Sequence, residues 1–132
     1  MPKRTGKYTI ELPNIPSIIG YAAVVGQKEA EGPLGQYFDK TSNDAFFGEK
    51  TFEKAETKMQ KTTIETAVKK SGLSKADIQL AFAGDLLNQC IGSSFDMRDL
   101  KMNFAGLYGA CSTMALSLAL ASILVDSGAA TT

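Results

Sequence analysis

Between Asn103 and Val125 the chain runs for 23 residues without a charged side chain, and this stretch constrains the fold most strongly. A helix of about that length can cross a bilayer. Its first part, NFAGLYGACST, contains Asn103, Gly106, Gly109, Ser112 and Thr113, and glycines so placed read as a strand-to-helix turn. Only Met114 to Val125, twelve residues, remains as an apolar run. That length suits a core helix and falls short of a span, so no transmembrane helix is expected. The helix is placed at Ser112 to Ser127, with Gly128 beyond it. Met114, Leu116, Leu118, Leu120, Ile123, Leu124 and Val125 point in several directions, so the helix is expected to be packed on every side.

The rest of the chain alternates strand and helix signals. Ser17 to Val25, SIIGYAAVV, reads as a first core strand covered on both faces. Residues 27–48 form a long loop carrying Gly32-Pro33, Tyr37, Phe38, Phe46 and Phe47, too long for a plain connection. From Glu49 to Ser71, apolar positions at steps of three and four predict a helix stopped by Gly72, with Lys50, Lys54, Lys58 and Lys61 in a stripe on its other face. Such a stripe suits either solvent or anionic lipid. Ser74 and Asp77 form a short capping turn before a second strand, Ile78 to Ala83. A short helix is expected over Phe95 to Leu100 with Ser94 as its cap, then a third strand from Asn103 to Leu107. The alternation implies an α/β fold with a mainly parallel sheet.

Composition removes several functions. Fourteen basic and fourteen acidic residues cancel, leaving no field to gather nucleic acid. The chain has no His, so the commonest general base near neutral pH and the commonest metal ligand are both missing. Cys90 and Cys111 have no CxxC spacing, so neither a zinc site nor a disulfide framework is indicated, and no cofactor is expected. Basic residues at the N-terminus lead into Glu11 and two prolines, so no signal peptide is expected and synthesis is placed in the cytoplasm.

Cys111 follows a strand and a glycine turn and opens a helix. Unpaired amides and the positive dipole end there favour a thiolate, a carboxylate or a developing oxyanion. A buried, inert cysteine beside a glycine turn is the competing reading. In AGDLLNQ, Asp85 and Asn88 lie just past the carboxyl end of the second strand, where parallel sheets bind ligands. Asp85 is equally suited to capping the turn of Leu86 and Leu87. Cys90 reads as a small buried filler.

GPLGQYFDK (32–40), AGDLLNQ (83–89) and GLYGACSTM (106–114), in this order and spacing, resemble the stage V sporulation protein AD family. More broadly, the strand, Gly-Ala-Cys turn and small-residue helix are similar to the thiolase and ketoacyl synthase superfamily. The resemblance implies a thiolase-like fold of two related βαβαβ-type halves. Residues 1–132 would be the front part of the first half, with 1–16 an N-terminal extension and the rest absent. The sequence reaches Gly128-Ala-Ala-Thr-Thr132 where another strand would begin, in keeping with truncation.

The resemblance also implies function: binding of dipicolinic acid, free or as its calcium chelate, with uptake into the spore and release at germination. The expected partners are other proteins of the same sporulation operon, in a complex peripheral to the spore inner membrane, with the full-length protein a homodimer. Cys111 would lie in the pocket floor, with Asp85 and Asn88 nearby, and no catalysis is expected. In the alternative, an acyltransferase half, Cys111 would be the acyl-accepting nucleophile and would borrow a base from elsewhere.

Overall fold

The computed structural model describes residues 1–132. The first residues close on themselves as a hairpin: β1 (Lys3–Thr5) runs antiparallel to β2 (Thr9–Glu11), with Arg4 opposite Ile10. The first core strand is much shorter than its apolar run. Only β3 (Val24–Val25) is a strand, and Ile18, Ile19 and Tyr21 are exposed. A β-branched run becomes a strand only where a neighbour takes its backbone hydrogen bonds, and residues 17–22 pair with no strand, while Ala23 bonds only to Asp39 just before β3. The neighbour of β3 comes from within the long loop: β4 (Lys40–Thr41) pairs parallel to it, after α1 (Gln27–Ala30) and a 3-10 turn at Gly35–Tyr37.

The most regular helix forms where expected. α2 (Phe52–Ser71) starts at Thr51, whose hydroxyl accepts from the Lys54 N–H, and ends at Gly72 in the left-handed conformation, φ 76°. Ser74 and Asp77 then form the reciprocal capping box. β5 (Ala81–Ala83) and β6 (Phe104–Gly106), each shorter than expected, pair in parallel with Phe82 opposite Ala105, whereas β5 does not pair with β3, the first core strand. Between them α3 (Ile91–Leu100) begins four residues earlier than expected, and Ser94 lies inside it, its hydroxyl donating to the Cys90 carbonyl. α4 (Thr113–Ser127) packs on β5, while α2 and α3 pack on each other. The architecture is mixed α/β, with three two-stranded sheets in place of one continuous parallel sheet.

The expectation that α4 is covered on every side is corrected. Its one buried residue is Asp126, and Met114, Leu116 and Leu118 are 72%, 41% and 49% exposed. By length and composition alone, Ala110–Ser127 is apolar enough to cross a membrane, with a mean hydropathy of 1.6 over 18 residues. Its far end is tied into the chain: Asp126 Oδ1 accepts from the Asn14 N–H, and the Asn14 amide donates to the Asp126 carbonyl. The whole chain presents 8872 Å² to solvent. A folded 14.1 kDa monomer is expected to expose roughly 6,700 Å², about 2,000 Å² less.

The tightest packing lies along the seam of α2 and α3, and it encloses a charge. Asp96 is wholly buried, and neither carboxylate oxygen has a hydrogen-bond partner. Burial pushes its carboxyl up to about 6. Lys61 and Lys75 pull it down, and Glu65 and Asp99 push it up. A raised acid binds its proton more tightly when folded, so its stabilising share is complete below about pH 4 and is lost as pH rises through about 6. Asp96→Asn is expected to flatten the fall in melting temperature between pH 5 and 7.5. It should stabilise the chain at pH 7.5 by about 1–3 kcal/mol, read by thermal melts at both pH values.

Candidate functional site

The carboxyl end of β5 meets the start of α4 at Gly84. A Cβ there would overlap the Leu107 carbonyl oxygen and stand 2.8 Å from the Thr113 methyl, so glycine alone lets the two backbones close up. Asp85 follows and is 6% exposed. Its Oδ1 accepts from the Cys90 N–H at 3.0 Å. Its Oδ2 accepts from the Ser93 N–H at 3.0 Å and the Ser93 hydroxyl at 2.8 Å. Asp85 therefore caps the first turn of α3, not the turn of Leu86 and Leu87.

Capping from five residues upstream accounts for the shape of the intervening loop. Asn88, Gln89 and Cys90 take φ of 51°, 54° and 71°, three successive left-handed residues without a glycine. Each costs on the order of 1 kcal/mol, and the bonds to Asp85 offset that cost. The turn carries the Asn88 side chain outward, where its amide donates to Glu53 Oε1 at 3.0 Å. Cys90 is half-buried, and its thiol donates to the Leu107 carbonyl at 3.1 Å, so it ties this loop to the turn after β6.

Cys111 sits in a 3-10 turn, Ala110–Ser112, two residues before the first residue of α4, and is exposed. The turn is fixed locally. The Ser112 hydroxyl donates to the Gly109 carbonyl at 2.6 Å, and the Gly109 N–H donates to the Thr113 hydroxyl at 3.1 Å. No side-chain base is hydrogen-bonded to the Cys111 thiol.

A cavity of about 1040 Å³ opens between α2, the end of β5 and the start of α4. Phe52, Met59, Ile64, Phe82, Leu87 and Leu118 give it an apolar lining, with Asp85 and Thr113 at one side. Neither Cys111 nor Asn88 lines it. The structure thus separates the three residues singled out from the sequence: Asp85 is inside as an anchor, and Asn88 and Cys111 are on separate exposed turns.

The cavity adds Glu56, which sequence reasoning passed over. Its Oε2 is buried without a partner and approaches Gly92 beside Asp85 Oδ2. Burial raises the Glu56 carboxyl and the Asp85 charge adds to this, while the Leu86 and Leu87 amides oppose it. The available signal was periodic, since Glu56 and Gln60 flank the inward stripe of Phe52, Ala55, Met59 and Thr63.

These features define a mixed α/β chain with a cysteine at an exposed helix-start turn and an apolar cavity beside it. A family model described as stage V sporulation protein AD matches residues 6–132. The chain is also 43% identical over 128 residues to stage V sporulation protein AD of Bacillus subtilis (strain 168). The match covers 96% of this chain and 37% of that relative, so the chain spans little more than a third of its length. The chain belongs to the stage V sporulation protein AD family, a family of sporulation proteins.

Proposed function

We propose that this chain is the front part of a thiolase-like protein that binds dipicolinic acid, and that it acts in the acid's uptake into the spore and release at germination. The observation that supports the reading is the family match over residues 6–132; the segment GLYGACSTM leads into the exposed start of α4. A 15-residue helix leaves amide N–H groups unpaired at its first turn and a partial positive charge there, which suits a carboxylate. Cys111 would form the floor of such a pocket, and Asn88, turned away toward Glu53, would have to leave that partner to take part. Asp85 would act indirectly, by fixing α3 and the loop that carries Asn88. The remaining walls, the homodimer contact and the membrane-associated partners would come from outside these residues.

The acyltransferase alternative uses the same turn, with Cys111 as the acyl acceptor and its base supplied from outside these residues. Calorimetry of the full-length family protein with dipicolinate, run beside iodoacetamide labelling across pH, separates the two readings. Saturable heat with a slow, ordinary thiol at Cys111 is expected. No binding at millimolar dipicolinate would overturn the proposal, and a fast-reacting thiol at neutral pH would favour acyl transfer.

A further inference from the structure

We infer that the groove between α2 and α3 is an anion site for a phosphate-bearing ligand with an apolar part. Lys54, Lys58 and Lys61 line one wall of this groove of about 840 Å³, and Ile91, Phe95 and Arg98 line the other. The lysines recur at steps of three and four, so they share one face of α2.

Three carboxylates also reach the groove; two are ion-paired, and the third, Glu53, is held by a neutral amide and keeps its charge. Glu49 pairs with Lys58 at 3.0 Å, Asp99 with Arg98 at 2.8 Å, and Glu53 accepts from Asn88 at 3.0 Å. Lys54 and Lys61 form no ion pair. They stand seven residues apart, about 10 Å along the helix, with the groove between them and α3. Lys61 also faces the buried charge of Asp96, which lies outside the groove lining.

The far wall supplies contact of another kind. Phe95 is 49% exposed and Ile91 42% exposed, and the Arg98 guanidinium lies 4.9 Å from the Phe95 ring centre. The groove lining keeps a surplus of one positive charge, and Lys54 and Lys61, neither in an ion pair, face an exposed aromatic and an aliphatic side chain, which suits a ligand that is anionic at one end and apolar at the other. A phosphate ester has that chemistry, either as an anionic lipid headgroup with adjoining chain or as a free phosphate compound. This inference is independent of dipicolinate binding at α4, since the two sites share no residue.

The test uses the purified chain with vesicles of phosphatidylglycerol and phosphatidylcholine in a 3:7 ratio, vesicles of phosphatidylcholine alone, and inorganic phosphate followed by amide chemical shifts. Co-sedimentation with the phosphatidylglycerol vesicles only, weakened at least tenfold by Lys54→Glu with Lys61→Glu, would support a lipid source. Saturable phosphate-induced shifts confined to α2 and α3, without vesicle binding, would support a free phosphate ligand. Lys3→Glu with Lys7→Glu makes the same change in net charge on and beside the N-terminal hairpin and should leave binding unchanged. Binding to neither probe, or equal loss with both double variants, would overturn the inference. Circular dichroism of both variants checks that the fold is kept.

Discussion

Asp85→Ala should destabilise the chain by about 2–4 kcal/mol, a large share of the 5–15 kcal/mol typical of a folded domain. One substitution removes the acceptor for two backbone N–H groups and a hydroxyl at the start of α3, where Asp85 is only 6% exposed. It also removes the bonds that offset three successive left-handed residues. Chemical denaturation would read the loss. Asp85→Asn should fall between the two, since its amide keeps one acceptor but cannot serve all three donors. An Asp85→Ala variant as stable as the parent would show that the loop holds α3 without this carboxylate. It would leave the dipicolinate reading of the α4 turn untouched.

At tens of micromolar the isolated chain should scatter light as a dimer or larger species, above its 14.1 kDa monomer mass. The surplus of roughly 2,000 Å² of accessible surface exceeds the ~800 Å² that each partner loses in a standard interface. Much of it is apolar and continuous with α4, where Met114 and Leu118 sit one turn apart on the same side. Met114→Glu with Leu118→Glu should shift the chain toward monomer and raise its solubility several-fold. The acidic side chain at 114 also suits the helix N-terminus. A parent chain that stays monomeric would mean that this face tolerates water as it stands.

The features legible from sequence are those whose causes lie close together in the chain. α2 follows from its apolar steps and its glycine stop, and the Ser74–Asp77 box from two residues three apart. The parallel pairing of β5 with β6 follows from the strand signals on either side of α3. Features set by distant partners were not legible. Apolar side chains at 17–25 suggested a full strand, but its length depends on a neighbour, and only Val24 and Val25 find one, in β4. The start of α3 was misplaced because its cap is a carboxylate five residues before Cys90, beyond the spacing of ordinary capping signals. The apolar sides of α4 suggested a helix packed all round, yet Met114, Leu116 and Leu118 stay exposed, because the sequence alone does not say what lies against them. At the site, the position of Cys111 at a helix start was foreseen. The outward turn of Asn88 and the approach of Glu56 to Asp85 depend on the left-handed loop and were not.

The open surface of α4 also governs how stability varies with temperature. The heat capacity of unfolding follows the apolar area that passes into water, and an ordinary domain of this length gains about 1.6–2 kcal/mol/K. Here much of that area is wet before unfolding begins, and only 9 of 132 residues are buried. The monomeric chain therefore has a smaller heat-capacity increment, a flatter stability curve and a shallower response to urea than its length implies. Covering α4 restores all three together, so the steepness of the melt is a direct measure of how completely that helix has been enclosed.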